Sequence, residues 1–364
     1  VFFTVYTAAG LVGGGKLFET AFADILPAGG MSDYMMGIWI TALVVLAYTM
    51  VGGFLAVSLT DFVQGCIMVV ALVLMPLVVM FGPGGTAGGS IEAVAASQPG
   101  FLSLTQGLTF LGFVSAVTWG LGYFGQPHII VRFMAISSLE KVKVARNIGL
   151  AWMGVALIGA LGVGIAGRAY AQRNGIVLDD PETIFIVLSD LLFHPLITGF
   201  LFAALLAAIM STISSQLLVS SSSLTEDFYR LFLRRDASER EAVNVGRISV
   251  LVVALAAIFV ASDPESEVLG LVSNAWAGFG AAFGPLILLG LTWPRMTGTG
   301  ALAGLIVGAA TVGFWIAQGW NGAFMGGPGV YEIIPGFIAA TIATVLVSLA
   351  TRTEDLDRYA VAAD

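Results

Sequence analysis

The chain consists of long apolar runs separated by short polar stretches. A helix needs about 20 mostly apolar residues to cross the roughly 30 Å hydrocarbon core of a bilayer. Runs of this length recur along all 364 residues, and they are continuous rather than alternating, which favours membrane helices over a β-barrel. The pattern predicts an all-α, polytopic membrane helical bundle with about ten spans, at 1–22, 36–52, 59–81, 107–131, 148–170, 196–223, 246–261, 268–292, 299–317 and 333–350.

The segments between the predicted spans differ in character. Residues 82–106 are rich in Gly, Ala and Ser and predict an external loop, whereas residues 182–192 predict a short amphipathic helix on the same side. Residues 224–247 are charged and predict a cytoplasmic loop. We expect a single transmembrane domain over 1–364, ending in a cytoplasmic tail at 351–364.

Composition supports the membrane prediction and excludes several functions. Only 10% of residues are charged, against about 25% in soluble domains, so most of the surface is expected to face lipid. One cysteine and two histidines leave no internal disulfide and no ordinary transition-metal site. The net charge of −8 argues against a nucleic-acid partner. The sequence contains no phosphate-binding loop or catalytic triad motif, so we do not expect an enzyme.

Charge placement predicts the orientation in the membrane. If ten spans alternate, most arginines and lysines fall in loops on one side of the membrane. The loops on the opposite side receive Arg168 and Arg173 among several carboxylates. The basic side is expected to be cytoplasmic by the positive-inside rule, and the C-terminus lies there. Twelve of the 15 basic residues fall on this side: Arg132, Lys141, Lys143, Arg146, Arg230, Arg234, Arg235, Arg240, Arg247, Arg295, Arg352 and Arg358.

Glycine, proline and polar aromatic residues interrupt the apolar run between Trp119 and His128. Pro127 lacks an amide donor and disrupts a helix interior. A broken membrane helix is tolerated only within protein or beside a cavity, and its free backbone groups can bind a zwitterionic ligand. Trp119 and Tyr123 are four residues apart, so on an α-helix they share a face that can hold a small apolar ring. A glycine-rich packing interface with a proline kink is the alternative interpretation.

A second candidate site lies at Ala208, Ser211 and Thr212, which occur at i, i+3 and i+4 and therefore on one helical face. Two hydroxyls and a backbone carbonyl are hard oxygen ligands that suit an alkali cation. Ser and Thr in membrane helices also commonly bond to the i−4 carbonyl or pack against neighbouring helices. The pattern alone leaves both interpretations open.

Two further polar positions lie inside or beside apolar runs. An inward-facing Tyr6 can meet a ligand, although the small residues that follow it favour close helix packing. Lys16 and Glu19, at i and i+3, are expected to form an ion pair within the first span. Asp61 is expected to cap the third span, with a contribution to ion entry as the alternative.

Several of these segments resemble the sodium/solute symporter family, and in particular its proline-transporting branch. The resemblance implies an inverted-repeat fold of five plus five helices like that of the leucine transporter. It also implies that the first span is the family's fourth, so we expect the sequence to be an N-terminally truncated fragment that lacks three preceding helices. The matching stretches are FFTVYTAAG, GGFLAVSLTDFVQ, WGLGYFGQPHIIVRFMA, LLAAIMSTISSQLLVSSSSLTEDFY, LGLVSNAWAGFGAAFGP and YEIIPGF.

The resemblance also implies roles for individual residues. Sodium would be bound by Ala208, Ser211 and Thr212, and Asp61 would be linked to sodium dependence. The implied partners are L-proline, Na⁺ as the coupling ion and the lipid bilayer of the inner membrane, with no other cofactor. The residues implied in substrate binding are Tyr6, Trp119, Tyr123, Gln126 and Pro127.

The resemblance implies sodium-coupled uptake of L-proline by alternating access. Two other functions stay open. A sibling symporter for pantothenate, a sugar or a carboxylate would share the fold and sodium site but lack the Trp119/Tyr123 arrangement. A transporter-like sensor would need a long soluble region after its last span. A pore is disfavoured because no ring of charged residues lines a span.

Overall fold

The computed structural model describes residues 1–27, 30–82, 85–86 and 90–351, and these form twelve α-helices with one short hairpin. Two 3₁₀ segments (Trp119–Gly125 and Pro181–Thr183) and one π-helical segment (Ser223–Leu233) lie between α-helices. The elements are α1 Phe2–Ala21, α2 Asp33–Phe81, α3 Ser90–Ser97, α4 Phe110–Thr118, α5 Pro127–Met134, α6 Leu139–Asn174, α7 Ile184–Leu192, α8 Pro195–Ser222, α9 Glu239–Ala261, α10 Val268–Thr292, α11 Gly298–Ala317, β1 Ala323–Phe324, β2 Gly327–Pro328 and α12 Ile333–Ala350.

Seven helices of the described chain are long and apolar enough to cross a membrane: α2, α6, α8 with its π continuation, and α9 to α12. Large apolar side chains such as Leu55, Phe62 and Phe259 are exposed on them, as expected of a lipid-facing surface. This confirms the all-helical, polytopic fold class but not the count of ten spans. The helix α1 is not among the seven, and the predicted run at 107–131 is divided between α4, a 3₁₀ turn and α5.

The predicted spans 36–52 and 59–81 are joined in α2, which bends at Gly53. There φ is 56° and ψ is −158°, a region that is essentially restricted to glycine. Asp61 lies eight positions beyond this bend, inside the helix rather than at its start. The prediction that Asp61 caps a helix is therefore wrong, because the free amides of a helix lie within its first turn.

The segments between the predicted spans contain several short helical stretches. The short helix predicted at 182–192 is confirmed by α7 and the 3₁₀ turn before it. The predicted loop at 82–106 contains α3, and much of 224–247 is helical, through the π segment and the start of α9. Residues 352–364 of the predicted tail lie outside the described residues, and a single domain over 1–364 remains a prediction.

Contacts divide the chain into two compact units, and the first contains residues 1, 3–104 and 136–271. Its main core lies among α1, α2, α8 and α9, and a second core lies among α2, α6, α7 and α8. The small residues of α1 pack closely, as predicted. A Cβ on Gly10 would lie 2.7 Å from Ile213, and one on Gly15 would lie 2.6 Å from the ring of Tyr34.

The second unit contains residue 2, residues 105–135 and the described residues from 272 onwards. The helices α11 and α12 run antiparallel, since Gly304 packs against Thr344 while Gly308, further along α11, packs against Ala340. Small residues of α10 also pack closely, and a Cβ on Gly284 would lie 2.8 Å from the ring of Phe337. Close helix packing without bulky side chains is typical of membrane proteins.

Candidate functional site

The three predicted sodium ligands converge on a single turn of α8. The Ser211 hydroxyl donates to the Ala208 carbonyl over 3.2 Å, and the Thr212 hydroxyl donates to the same carbonyl over 3.1 Å. All three residues are half-buried. In this geometry the hydroxyls make the ordinary i−3 and i−4 bonds of helical Ser and Thr. A cation at this turn would replace these two hydrogen bonds: the hydroxyls would turn their protons away and offer lone pairs to the ion beside the Ala208 carbonyl.

Helix α2 holds this turn of α8 through two side-chain contacts. The Tyr48 hydroxyl of α2 donates to the Met210 carbonyl over 2.9 Å, and the Asp61 carboxylate of α2 accepts from the Ser215 hydroxyl over 3.3 Å. Within α8, the Ser215 hydroxyl also lies 2.8 Å from the Ser211 carbonyl. Asp61 is thus connected to the turn through one hydroxyl. Tyr48 was not singled out from the sequence, where a tyrosine in an apolar run gives no separate signal.

Helix α1 contacts α8 one residue after Tyr6. The Thr7 hydroxyl donates to the side-chain carbonyl of Gln216 over 3.1 Å, and both side chains are fully buried. Tyr6 itself is half-buried. A buried polar pair between apolar helices fixes their register, because each group would be costly to leave without its partner. Tyr6 therefore lies on a helix that is fixed against α8, the helix that contains the Ala208 turn.

A cavity of about 250 Å³ also reaches this turn of α8, where Ala208 forms part of its wall. It lies among α2, α6, α7 and α8, and apart from Ala208 its walls are made by residues such as Met68, Val163 and Leu205. A binding site for a zwitterion needs a few convergent polar groups. This apolar cavity is therefore not a candidate for the substrate pocket.

The interruption predicted between Trp119 and His128 is confirmed, but its geometry differs from the expectation. The α-helix ends at Thr118, residues Trp119–Gly125 form a 3₁₀ helix, and α5 begins at Pro127. Pro127 occupies the first turn of α5, where no amide donor is needed. A 3₁₀ helix has three residues per turn, so residues four apart are rotated by about 120°. The argument that placed Trp119 and Tyr123 on one face therefore does not apply.

The two predicted aromatic residues both contact Trp276 of α10. Trp119 stacks on Trp276 with ring centroids 5.5 Å apart, and it also stacks on Tyr331 at 5.9 Å. Tyr123 meets Trp276 edge to face at 4.8 Å and is 41% exposed. Trp119 therefore already has two near-parallel stacking partners, whereas much of Tyr123 is accessible. Sequence reasoning missed Trp276 and Tyr331, which lie more than 150 positions further along the chain.

Gln126 is completely buried at the junction between the 3₁₀ helix and α5. Its side-chain amide donates to the Gly122 carbonyl over 3.1 Å and to the Trp276 carbonyl over 3.3 Å. Backbone carbonyls that a 3₁₀ turn leaves free are thus satisfied by a side chain. This geometry gives Gln126 a supporting role in holding the turn.

Lys16 is paired with carboxylates far away in the sequence. Its ammonium lies 2.6 Å from Asp180 and 2.7 Å from Glu182, and the residue is only 8% exposed. The Glu182 carboxylate also accepts hydrogen bonds from the amides of Val268 and Leu269, both at 3.1 Å, and so caps α10. The expected pairing with Glu19 is replaced by these contacts. A lysine inside an apolar run indicates that an acidic partner is needed, but the run does not show where in the sequence that partner lies.

The electrostatics of the two acidic partners follow from this geometry. Burial acts to raise the pKa of Glu182, but the hydrogen bonds from Lys16 and from the two amides of α10 hold it below its usual value. The pKa of Asp180 is also lowered, because the Lys16 ammonium and the Glu182 amide outweigh desolvation. Both groups therefore favour their charged forms in the folded protein.

A bundle of apolar helices with one helix interrupted by polar aromatic residues is the architecture of a secondary transporter. A solved structure shows a similar fold. It is described as the substrate-bound outward-open state of a Na⁺-coupled sialic acid symporter, and it matches with a TM-score of 0.70 over 96% of this chain and 73% of that chain. At 20% identity, the match shows that the two share a fold.

Residues 1–308 match the model of the sodium:solute symporter family, and the chain belongs to this family. It is 53% identical over 352 residues to the osmoregulated proline transporter OpuE of Bacillus subtilis, covering 97% of this chain and 69% of that protein. The high-affinity proline transporter PutP of the same organism is also 53% identical, with 97% and 71% covered. A sodium/proline symporter of Staphylococcus aureus is 52% identical, with 97% and 68% covered.

Proposed function

We propose that this protein takes up L-proline together with Na⁺ across the cell membrane. The observation that carries this proposal is the identity of 52–53%, over 97% of the chain, to relatives described as proline transporters or sodium/proline symporters. Family membership supports sodium as the coupling ion.

Sodium is assigned to the Ala208 turn of α8. The hydroxyls of Ser211 and Thr212 already lie within 3.2 Å of the Ala208 carbonyl. Neutral oxygen ligands replace the hydration shell of a monovalent ion without the full charge that would prevent its release. Asp61, which accepts from Ser215, supplies a negative potential one residue removed from the ligands.

Proline is assigned to the interrupted helix. Tyr123 presents an exposed aromatic ring to the apolar pyrrolidine ring of the substrate, together with Trp119 of the same segment. The Gln126 amide is occupied by two carbonyls, so Gln126 and Pro127 act by fixing the break rather than by direct contact. Backbone groups at such a break are suited to a carboxylate or an ammonium group.

The two assignments combine in an alternating-access cycle. Sodium binding from outside favours the conformation that receives proline, and both are released inside after the conformational change. One charge moving inward gains about 2.3 kcal/mol per 100 mV, which supports a concentration ratio of about 50.

The loops that contain most of the arginines and lysines are assigned to the cytoplasmic side of the cell membrane, together with the C-terminus. This orientation is tested in a Cys66→Ser background by labelling with a membrane-impermeant maleimide. Cysteine at Ser137 is expected to react only after permeabilisation, whereas cysteine at Asp179 is expected to react in intact cells. The reverse pattern would contradict the orientation.

The substrate is tested in cells that express the full-length gene product and lack other proline uptake. We expect uptake of radiolabelled proline that unlabelled proline inhibits and pantothenate, sugars and carboxylates leave unchanged. Uptake of one of those solutes in place of proline would assign the protein to a sibling branch of the family.

A further inference from the structure

Four aromatic rings of the second unit form a cluster around the interrupted helix, and Trp276 is the ring that both candidate substrate residues contact. It is 5% exposed. Its indole is nearly parallel to Trp119, with an interplanar angle of 16°, and nearly perpendicular to Tyr123, with an angle of 85°. The orientation of the two candidate rings is therefore defined against a third ring from α10.

Trp276 also holds both ends of the 3₁₀ helix. Its indole N–H donates to the carbonyl of Trp119, the first residue of the turn, over 2.9 Å. Its own carbonyl accepts the Gln126 amide, just after the last residue of the turn, over 3.3 Å. One residue of α10 thus fixes the start of the segment through its side chain and the end through its backbone.

The glycine between these ends allows the backbone to lie directly on the indole. A Cβ at Gly122 would collide with the indole nitrogen and neighbouring ring atoms of Trp276. In a 3₁₀ helix, Gly122 lies directly above Trp119 because residues three apart are eclipsed. The indole is thereby packed against the turn at Trp119 and Gly122, with the Tyr123 ring nearly perpendicular to it.

Tyr331 completes the cluster from the segment before α12. Its ring stacks on Trp119 with an interplanar angle of 13°. Its hydroxyl donates to the Ser273 carbonyl over 3.0 Å, and Ser273 lies three residues before Trp276 on α10. The ring of Trp119 is therefore linked to α10 through both of its stacking partners. The ring of Tyr123 meets α10 at Trp276 itself.

We propose that Trp276 is a positioning residue that sets the width of the substrate site by orienting Tyr123 and the 3₁₀ turn, and thereby selects a small cyclic amino acid. This proposal rests on the proposed function, since it names what determines the size of the ring that the site accepts. Aromatic pairs prefer an edge-to-face geometry over many alternatives, so Tyr123 keeps one orientation while Trp276 is present. A smaller ring at position 276 leaves the turn and Tyr123 free to reorient.

The first test compares Trp276→Phe with Trp152→Phe. Both substitutions remove an indole N–H that donates to a backbone carbonyl, since Trp152 donates to Gly65 over 3.0 Å in the first unit. Trp276→Phe is expected to raise the KM for proline about 5- to 10-fold, the size of one lost hydrogen bond. It is also expected to lower the preference for proline over its six-membered-ring homologue pipecolate, with Vmax changed less than twofold.

Trp152→Phe is expected to leave both KM values within about twofold of the parent. A purely structural role for Trp276 would lower the Vmax for both solutes together and leave the ratio of their KM values unchanged. That result would overturn the proposal.

A second measurement does not depend on transport. In a Cys66→Ser background, cysteine at position 123 is labelled with a maleimide in membranes, with tryptophan or phenylalanine at position 276. We expect at least about a threefold change in labelling rate, because the turn loses its fixed orientation. An unchanged rate would overturn the positioning role. If the parent protein transports no proline, the proposed function fails while this measurement still decides the role of Trp276.

Discussion

At the scale of single residues, the Ala208 turn is the point where the sequence pattern and the structure agree most closely. The i, i+3, i+4 spacing of Ala208, Ser211 and Thr212 predicts convergence, and their oxygens do converge. The spacing cannot decide between a cation site and back-bonding to the helix, because both use the same atoms. A substitution that changes sodium dependence without changing the helix distinguishes the two.

Thr212→Ala is the most informative change at this turn. We expect the Na⁺ concentration for half-maximal proline uptake to rise about 10-fold or more, since one of three oxygen ligands is lost. The matched control is Ser220→Ala, which removes a comparable bond from a buried hydroxyl to the Gln216 carbonyl, 2.7 Å long, on the same helix. Equal effects of the two substitutions would favour back-bonding over a sodium site.

The residues that sequence reasoning missed have a common physical cause. Trp276 lies 157 positions after Trp119, and its indole donates to the first carbonyl of the 3₁₀ segment Trp119–Gly125. Local spacing contains no information about that contact. Pro127 and the glycines did locate the break correctly, because their effect on the backbone is local. The position of the site was thus predictable, whereas the orientation of its rings was not.

At the scale of elements, carboxylates with opposite electrostatics lie at the starts of α10 and α12. Glu182 is charged and caps α10 from a distant turn. Glu332, immediately before α12, is 1% exposed, and among the described residues its Oε1 has no hydrogen-bond partner. Neither role could be predicted from the sequence, since a cap drawn from another segment and a buried carboxyl both depend on tertiary packing.

Glu182→Gln is expected to weaken α10 at neutral pH by about 1 kcal/mol, the usual contribution of a helix cap. The folded-state pKa of Glu182 lies below its usual value, so its stabilisation is present above the unfolded pKa and is lost as the pH falls through the folded one. In thermal unfolding in detergent, the parent should be more stable than the Glu182→Gln variant at neutral pH, and this difference in stability should disappear in acid. A variant as stable as the parent at neutral pH would contradict the cap.

Glu332→Gln is expected to behave in the opposite way. Burial raises the pKa of Glu332, so the folded state favours the neutral acid, and stability falls as the pH rises from the ordinary to the raised value. The glutamine variant should therefore unfold at a higher temperature than the parent near pH 8, by a few degrees, and at about the same temperature near pH 4. Glu140→Gln, at an exposed position, serves as the control. A variant less stable than the parent at both pH values would contradict the neutral acid.

At the scale of the whole molecule, the hydrophobic pattern was sufficient to predict the class of fold. Continuous apolar runs require helices in lipid, and seven described helices meet that requirement. The number of spans was less predictable, because the two predicted spans of α2 meet at the Gly53 kink without an intervening loop, and because α1 contains Lys16, whose charge is neutralised by residues 164 and 166 positions away. Bends and long-range ion pairs leave no periodic signal in the chain.

The central claim is that a sodium gradient drives proline inward. The most direct measurement is proline uptake by proteoliposomes that contain the purified full-length protein, with an inward Na⁺ gradient or an equal K⁺ gradient. The account predicts transient accumulation of proline above its equilibrium level with Na⁺ only, increased by an inside-negative potential because each cycle moves positive charge inward. Equal uptake under the two gradients, without accumulation, would contradict it.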